Sequence, residues 1–261
     1  MKRILVPTNF SPTAERAFRF ATDIARKTEG TVFLYHVYTP LESDIIYTEQ
    51  RSKQYDTQTE TELLKRLQRL KKKVMANETD LQVYTIVGRS PIINNILGFV
   101  EDNQVELIVI GTKGASVVKK IIVGSVAVRI IEKSDIPVLL IPEKFEWKEP
   151  EQIVFVTNYQ KANKQALSLI VDLAKAYTSA VTVVHLLDPN WQFYDKQQVD
   201  FGKFAFAIKR TFYNCYLKFK ELMENLQKEI KYDMLVMVRR KKCFLENLFV
   251  ERFTEKMAYS E

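Results

Sequence analysis

Short apolar runs alternate with stretches of helical spacing along the first 143 residues, and this alternation limits the possible folds more than any other feature. The runs are rich in valine, isoleucine and leucine, and they occupy residues 4–6, 31–37, 81–87, 105–111 and 136–142. Strands that are apolar along their whole length are typical of parallel sheets with helices on both faces. The pattern therefore predicts an α/β fold with an open, doubly wound, Rossmann-like parallel sheet of five strands, for which we take the order 3-2-1-4-5, one of the known doubly wound orders.

The first helix has local signals at both ends. Ser11 is a preferred N-cap residue, and Pro12 follows it at the first helical position. Gly30 is predicted to end this helix before the second strand begins. A strand, a helix and a second strand in this order form a parallel crossover unit.

The same pattern begins again after a charged segment, and this predicts an internal duplication. Identical residues recur 149 positions apart: Thr8 and Thr157, Asn9 and Asn158, Ala17 and Ala166, Asp23 and Asp172, His36 and His185, and Pro40 and Pro189. So many identities at one offset indicate two copies of one unit. We predict a first domain over residues 1–143, a linker over 144–151 and a second, degenerate domain over 152–261.

The predicted second domain is shorter than the first. The run "ELIVIG" matches "DMLVMV" at an offset of 127 rather than 149, so 22 residues are missing from the middle of the second copy. We can assign no third strand within residues 201–217, and expect this strand to be short or missing. No counterpart of residues 136–142 precedes Glu261, so the fourth strand of this copy would be an exposed edge unless a loop, helix or partner covers it.

Three of the seven glycines lie in the segment "GTKGASVVKKIIVGS", at Gly111, Gly114 and Gly124. Glycine lets backbone N–H groups approach a ligand, and a helix that begins after Gly124 would favour an anion at its N-terminus. Ser125 adds a hydroxyl donor. The spacing fits neither the Walker loop nor the GxGxxG fingerprint. The segment predicts a phosphate site between the ends of the first and fourth strands, and plain helix packing is the alternative explanation.

The spacing from Gly111 to Ser125 resembles the G-2x-G-9x-G-[S/T] nucleotide motif of the universal stress protein family. The segments "ILVPTNFS", "LYHV" and "SDIPVLLIP" also resemble that family, in the expected order, over nearly all of residues 1–143. The resemblance implies a tandem member whose two copies pack as a pseudo-dimer. It also implies a site for ATP or another adenine nucleotide, with Mg²⁺ bound through the phosphates. The implied binding residues are Pro7, Thr8, Asn9 and Val37 for adenine and ribose, and Ile110, Gly111, Gly114, Gly124, Ser125 and Val126 for the remainder of the nucleotide.

The chain departs from the family pattern in both copies. Family members often have aspartate where this chain has Asn9, and the amide changes the fit to the nucleotide and to magnesium. In the second copy, the residues opposite the three glycines and the serine are Val238, Lys241, Glu251 and Arg252. Such side chains would crowd or repel phosphates. We therefore predict one nucleotide site per chain, in the first domain.

The remaining candidate residues favour structural roles. His36 and His185 occupy the same place near the end of each second strand, which favours a structural hydrogen bond over catalysis. Cys215 and Cys243 have no CxxC spacing and no adjacent histidine, so we expect reduced cysteines and no metal site. Lys113 would either contact a phosphate or be solvated. With no carboxylate pair and no nucleophile beside a base, we expect a protein that is not an enzyme, with slow ATP hydrolysis as a side reaction.

Charge and hydropathy set expectations for location and partners. The net charge is +7, but the lysines of residues 63–74 follow the outer face of an amphipathic helix, so we expect a solvated face and no nucleic acid. No apolar run could span a bilayer or act as a secretory signal, so we expect a cytoplasmic protein. The family resemblance implies that this protein is a stress-response regulator. Its partners would be an adenine nucleotide, an unidentified protein and, as an alternative to the pseudo-dimer, a second copy. An interaction module without a nucleotide site and a salt-sensitive nucleic-acid binder remain the alternative functions.

Overall fold

The computed structural model describes residues 2–40, 49–76, 80–112, 124–144, 146–157, 164–187, 208–214, 225–226 and 228–237. The chain divides into two compact units, Met1–Trp147 and Lys148–Glu261, and the division falls inside the segment that was predicted as a linker. Each unit contains a parallel sheet, with five strands in the first and four in the second.

The first unit has the predicted α/β architecture. Its strands are β1 (Arg3–Pro7), β2 (Thr31–Tyr38), β3 (Gln82–Arg89), β4 (Leu107–Gly111) and β5 (Val138–Ile141). Its helices are α1 (Pro12–Thr28), α2 (Glu49–Val74), α3 (Ile92–Asp102) and α4 (Ser125–Lys133). All the strand pairs are parallel, and the order is β3-β2-β1-β4-β5. The predicted sheet type and strand order are confirmed.

Helices cover both faces of this sheet, which explains why its strands are apolar along their whole length. Leu5 of β1 and Ile108 of β4 belong to a buried cluster with residues of α3 and α4. Ile4 and Val6 point to the opposite face, where they are completely buried and where α1 and α2 contact each other and the sheet. The core therefore lies on both sides of the central strand β1 and of its neighbour β4.

Helix α1 begins as predicted but ends differently. The Ser11 side chain accepts a hydrogen bond from the Ala14 N–H over 3.2 Å, and Pro12 is the first helical residue. At the other end the left-handed residue is Glu29, with a φ of 52°, rather than Gly30. The Gly30 N–H donates to the Ala25 carbonyl over 2.7 Å, so the glycine follows the turn instead of forming it.

The second unit contains β6 (Gln152–Thr157), α5 (Lys164–Tyr177), β7 (Ala180–Leu187), β8 (Ile208–Asn214) and β9 (Met234–Met237). Its strand order is β8-β7-β6-β9, which corresponds to the first four strands of the first unit. The register also corresponds. Pairs Gln152↔Ala180 and Ile153↔Met234 occupy the places of Arg3↔Thr31 and Ile4↔Leu107, at the offsets of 149 and 127 that the sequence indicates.

Strand β8 corrects one expectation from the sequence. It lies inside residues 201–217, where no strand could be assigned, and it pairs with β7 along its whole length. The second unit is shorter because only 20 residues separate β7 from β8, whereas 43 residues, including α2, separate β2 from β3. Sequence analysis missed β8 because lysine, arginine and threonine interrupt its apolar residues.

Within the described ranges, no helix is long and apolar enough to cross a membrane. The same part of the chain contains no group of three or more histidine, cysteine, aspartate or glutamate side chains that could hold a metal ion. Both cysteines and the four residues opposite the glycine motif in the second copy lie outside the described residues.

Candidate functional site

The carboxyl ends of β1, β2 and β4 lie at one edge of the first sheet, since the strands are parallel. Strands β1 and β4 are neighbours, but the chain continues from β1 to β2 on one side and from β4 to β5 on the other. A crevice at such a reversal is the usual ligand site of an open α/β sheet. The predicted residues at these three strand ends are therefore brought to a common edge: Pro7, Thr8, Asn9, Val37, Ile110 and Gly111.

The turn between β1 and α1 is held by two of the predicted site residues. The Phe10 N–H donates to Thr8 Oγ1 over 3.1 Å, and the Ser11 N–H donates to Asn9 Oδ1 over 3.1 Å. Thr8 is buried, whereas Asn9 is exposed. Phe10 has a φ of 63°, which is rare for a bulky residue and common where a binding site restrains the backbone. Asn9 thus has a structural role in this turn, in addition to any contact with a ligand.

His36 holds the same turn from β2. Its Nδ1 lies 2.7 Å from the Thr8 carbonyl oxygen, so Nδ1 carries the proton and donates it. Burial lowers the pKa of His36, and the positive charge of Arg66 acts in the same direction, while the bond to Thr8 opposes them. The imidazole is therefore neutral at physiological pH. The structural hydrogen bond that was predicted for His36 is present, while the side chain of His185 lies outside the described residues.

Two further residues at this edge were missed by the sequence analysis. The Phe10 ring lies 4.6 Å from the His36 ring, and the guanidinium carbon of Arg66 lies 4.2 Å from the centre of the Phe10 ring. Arg66 belongs to α2, and its contact with Phe10 is a cation–π interaction. Nothing in the periodicity of α2 distinguishes Arg66 from its basic neighbours, because the contact depends on how α2 packs against the sheet.

Gly111 and Gly124 have different structural reasons to be glycine. A Cβ atom at Gly111 would lie 2.7 Å from the backbone carbonyl carbon and oxygen of Thr13, so this glycine allows the first turn of α1 to pack against β4. The sequence predicted that Gly111 lets the backbone approach a phosphate. The structure gives another reason for this glycine, which is the close packing of α1 against β4. Among the described residues, a Cβ atom at Gly124 would meet nothing within 4 Å, and its φ of −62° suits any residue. Neither this part of the packing nor the backbone conformation requires glycine at position 124, and the described residues leave the space beside it open.

Helix α4 begins beside that open space. The first backbone bond of α4 runs from the Val128 N–H to the Gly124 carbonyl over 3.0 Å, and among the described residues no side chain caps the helix. The N–H groups of Ser125, Val126 and Ala127 thus have no acceptor within the helix, and groups of this kind bind anions. Ser125 is exposed, and Val126 packs partly against the core. Gly114 and Lys113 lie within residues 113–123, outside the described part of the chain.

The other strand ends contribute apolar surface. Val37 is half-buried and packs against the core cluster that contains Tyr35. Ile110 belongs to the same cluster, so only the backbone can face a ligand at that position. Pro7 is buried at the end of β1. The β2 side of the crevice is therefore apolar and aromatic, while the α4 side offers backbone donors.

A polar network fixes α2 to the ends of β2 and β3. The Tyr38 hydroxyl donates to Glu60 over 2.9 Å, and Arg89 binds both Glu60 and Asp56. Burial and the hydrogen bond to Glu60 raise the pKa of Tyr38 to about 12, and the bond from Arg89 lowers the pKa of Glu60. Both carboxylates thus pair with the single Arg89 guanidinium, and these ion pairs position α2.

Known proteins with related sequences match mainly the first unit. Universal stress protein MJ0531 of Methanocaldococcus jannaschii is 31% identical over 143 residues, which cover 54% of this chain and 81% of that protein. Universal stress protein MJ0577 of the same organism is 30% identical over 156 residues, covering 55% and 96%. A solved universal stress protein from Archaeoglobus fulgidus DSM 4304 is 14% identical with a TM-score of 0.67, covering 90% of this chain and 86% of that one. That last likeness is evidence for the fold.

The sequence model of the universal stress protein family matches residues 1–142, which is more than half of the chain. The matched segment contains every strand of the five-stranded sheet and every residue of the candidate site. Three features of the first unit agree with that match: the strand order, the switch point between β1 and β4, and the glycine at the N-cap of α4. The chain belongs to the universal stress protein family.

Proposed function

We propose that the first unit binds an adenine nucleotide in the crevice between the β1–α1 turn and the start of α4. The observation that carries this proposal is the space that the described residues leave open at Gly124, next to backbone N–H groups that have no acceptor within α4. An anionic group fits there, because unpaired donors and the helix dipole both favour negative charge. The Ser125 hydroxyl adds a further donor to the same place.

The opposite side of the crevice suits a nucleobase. Phe10 and His36 offer aromatic surface beside the exposed Asn9 amide, and Val37, on the other face of β2, adds apolar surface at the same strand end. A flat base with a phosphate tail would thus contact apolar groups at one end and N–H donors at the other. Solved members of the family carry such ligands: one universal stress protein is in complex with cAMP, and one from Arabidopsis thaliana has AMP bound. Those ligands belong to those proteins, and the proposal for this chain rests on its own crevice.

The protein would act as a stress-response regulator whose shape or partner preference changes with nucleotide occupancy. Catalysis is not its proposed role, because the ionisable groups described near the crevice are already engaged. His36 is neutral and holds the Thr8 carbonyl, while Asp56 and Glu60 are held by Arg89. Hydrolysis of bound ATP would be slow and incidental. Rapid, saturable release of phosphate in a radiolabelled ATPase assay would contradict this part of the proposal.

The second unit is proposed to be a copy without a nucleotide site. Its pairing register repeats that of the first unit, which supports duplication. The residues opposite the motif are Val238, Lys241, Glu251 and Arg252, which lack the small size that phosphate approach requires. The expected stoichiometry is therefore about one nucleotide per chain, with the site in the first unit.

Titration calorimetry with ATP and Mg²⁺ tests the proposal, with Gly124→Val and Gly98→Val as a matched pair. A Cβ atom added to either glycine meets none of the residues that the structure describes within 4 Å, so we expect both variants to fold. Only the side chain at position 124 would fill the proposed phosphate site. We expect binding by the native chain and by Gly98→Val, and none by Gly124→Val. At about a hundred times its Kd, the nucleotide should add about 2.7 kcal/mol to the free energy of unfolding.

Equal binding by both variants would show that the nucleotide lies elsewhere. If the native chain gave neither heat nor a thermal shift, and released no adenine on denaturation, the nucleotide proposal would fail. Packing, which already explains Gly111, would then be the explanation for the other glycines of the motif as well. The family fold would serve here as an interaction module.

A further inference from the structure

The outer face of α2 carries an open groove that lies apart from the candidate nucleotide site. Its volume is about 430 Å³, and the described residues that line it are Thr61, Leu64, Lys65, Gln68, Arg69 and Lys72. All six are exposed, and all belong to α2. The opposite side of the same helix is buried through Leu63, Leu67 and Leu70. The groove therefore faces solvent while the helix that forms it is fixed to the sheet.

The cations that alternate with the groove residues along α2 are engaged within the protein. Lys71 Nζ donates to the Val83 carbonyl over 2.7 Å, and Lys73 pairs with Glu15 over 2.7 Å. Arg66 lies over an aromatic ring of the β1–α1 turn. These three side chains help to hold α2 in place, so their positive charges have a structural role.

The three cations of the groove differ from these neighbours. Lys65, Arg69 and Lys72 form no ion pair or hydrogen bond within the part of the chain that the structure describes. Glu62 is also exposed on α2, but it does not line the groove and pairs with none of them. Because the three cations are spaced by four and three residues, they share one helix face and repel each other. The groove thus has a concentration of positive charge that no described residue offsets.

Leu64 distinguishes this surface from a purely basic one. It is 40% exposed, whereas Leu63 and Leu67 on either side are 8% exposed and completely buried. An exposed leucine beside three cations fits a partner that carries both apolar and acidic side chains. A nucleic acid fits less well, since none of the described lining residues has an aromatic ring on which a base could stack.

We propose that the outer face of α2 binds an acidic amphipathic helix of a protein partner. Positions 65 to 72 span about 10 Å along the helix axis. Glutamates at positions i, i+4 and i+7 of a second helix have the same spacing, so ion pairs to all three cations form together. An apolar side chain on the same face of the partner then covers Leu64. This inference is independent of the proposed nucleotide site.

A synthetic helical peptide of about 18 residues tests the proposal with the full chain. It carries glutamates at i, i+4 and i+7 and a leucine on the same face, and its binding is measured by fluorescence anisotropy. We expect saturable binding that weakens as salt is added, because salt screens exposed charges. A peptide with glutamine in place of the three glutamates should bind about tenfold more weakly or less, as expected for the loss of three exposed ion pairs.

Variants of the chain identify the surface that binds. The groove variant combines Lys65→Gln, Arg69→Gln and Lys72→Gln, and should raise the Kd of the acidic peptide by about tenfold or more. Leu64→Ala should raise it by about threefold or more, because apolar contact is lost. Urea denaturation should show the groove variant to be at least as stable as the native chain, since the substitutions remove like charges that repel each other.

The matched control combines Lys2→Gln, Lys133→Gln and Lys144→Gln. These lysines are exposed outside α2, so the control loses the same net charge and should keep the native Kd. Equal weakening in the control and the groove variant would show a nonspecific effect of net charge and overturn the inference. So would absence of binding by the native chain, a groove variant less stable than the native chain, or tighter binding of a single-stranded DNA oligonucleotide than of the acidic peptide.

Discussion

A methyl group added at Gly111 would overlap the Thr13 backbone, while one added at Gly124 would meet open space. We predict that Gly111→Ala lowers the free energy of unfolding by about 1–3 kcal/mol, because α1 must move away from β4. Gly124→Ala should change it by less than about 1 kcal/mol, since its backbone suits alanine. Urea denaturation of the two variants measures both values. Similar losses in both would contradict the contact between Gly111 and Thr13.

The lowered pKa of a single residue, His36, leads us to expect that the free energy of unfolding depends on pH. Its pKa is lowered in the folded protein, so the unfolded chain binds more protons over the interval between the two pKa values. The contribution of the neutral ring to stability is present above the unfolded pKa and is lost as the pH falls through this interval.

The measurement is the free energy of unfolding at about pH 7.5 and about pH 5.5, for the native chain and for His36→Gln. The native chain should lose more stability on acidification than the variant, because the variant has no proton to take up at this position. His185 is unchanged in both proteins and cancels in the comparison. An equal loss in the two proteins would show that burial of His36 does not bias its protonation.

Helix α2 provides a test at the scale of an element. Leu67 is completely buried against the sheet, whereas Leu64, one turn earlier, is 40% exposed on the outer face. We predict that Leu67→Ala lowers the free energy of unfolding by about 2–5 kcal/mol, as for other buried leucines. Leu64→Ala should change it by less than about 0.5–1 kcal/mol. Urea denaturation of the two variants measures both changes in the free energy of unfolding. Equal losses, or a larger loss in Leu64→Ala, would contradict the orientation of α2.

Strands β1 to β5 could be predicted from the sequence, since each contains an apolar run, which is least interrupted in β1, β2 and β4, where both faces are buried. Strand β8 could not. Its polar residues give it no such run, and only its pairing with β7 identifies it. The C-terminal end of α1 was assigned to Gly30 because glycine tolerates a positive φ, yet Glu29 occupies that conformation.

For the whole molecule, we predict that nucleotide protects one unit only. Hydrogen exchange with and without saturating ATP should show slower exchange in the β1–α1 turn and at the start of α4, because a ligand suppresses local opening where it binds. Amides of β6 and β7 should exchange at unchanged rates. Mass spectrometry of peptides from the full chain measures both regions. Equal protection of β6 and β7 would indicate a second site and contradict the single-site proposal.

The sequence by itself determined the sheet type, the number of strands in the first unit, the position of the glycine motif and the residues at the strand ends, while the strand order was assumed from known folds of this type. These features depend on local apolar runs and on their order along the chain, which the sequence states directly. Only the tertiary structure decided that Gly111 accommodates Thr13, that Arg66 lies over Phe10, and that the Asn9 side chain accepts from the Ser11 N–H. The first two features depend on contacts between distant segments, and the third depends on the direction of one hydrogen bond. The spacing of residue types along the chain encodes neither kind of information.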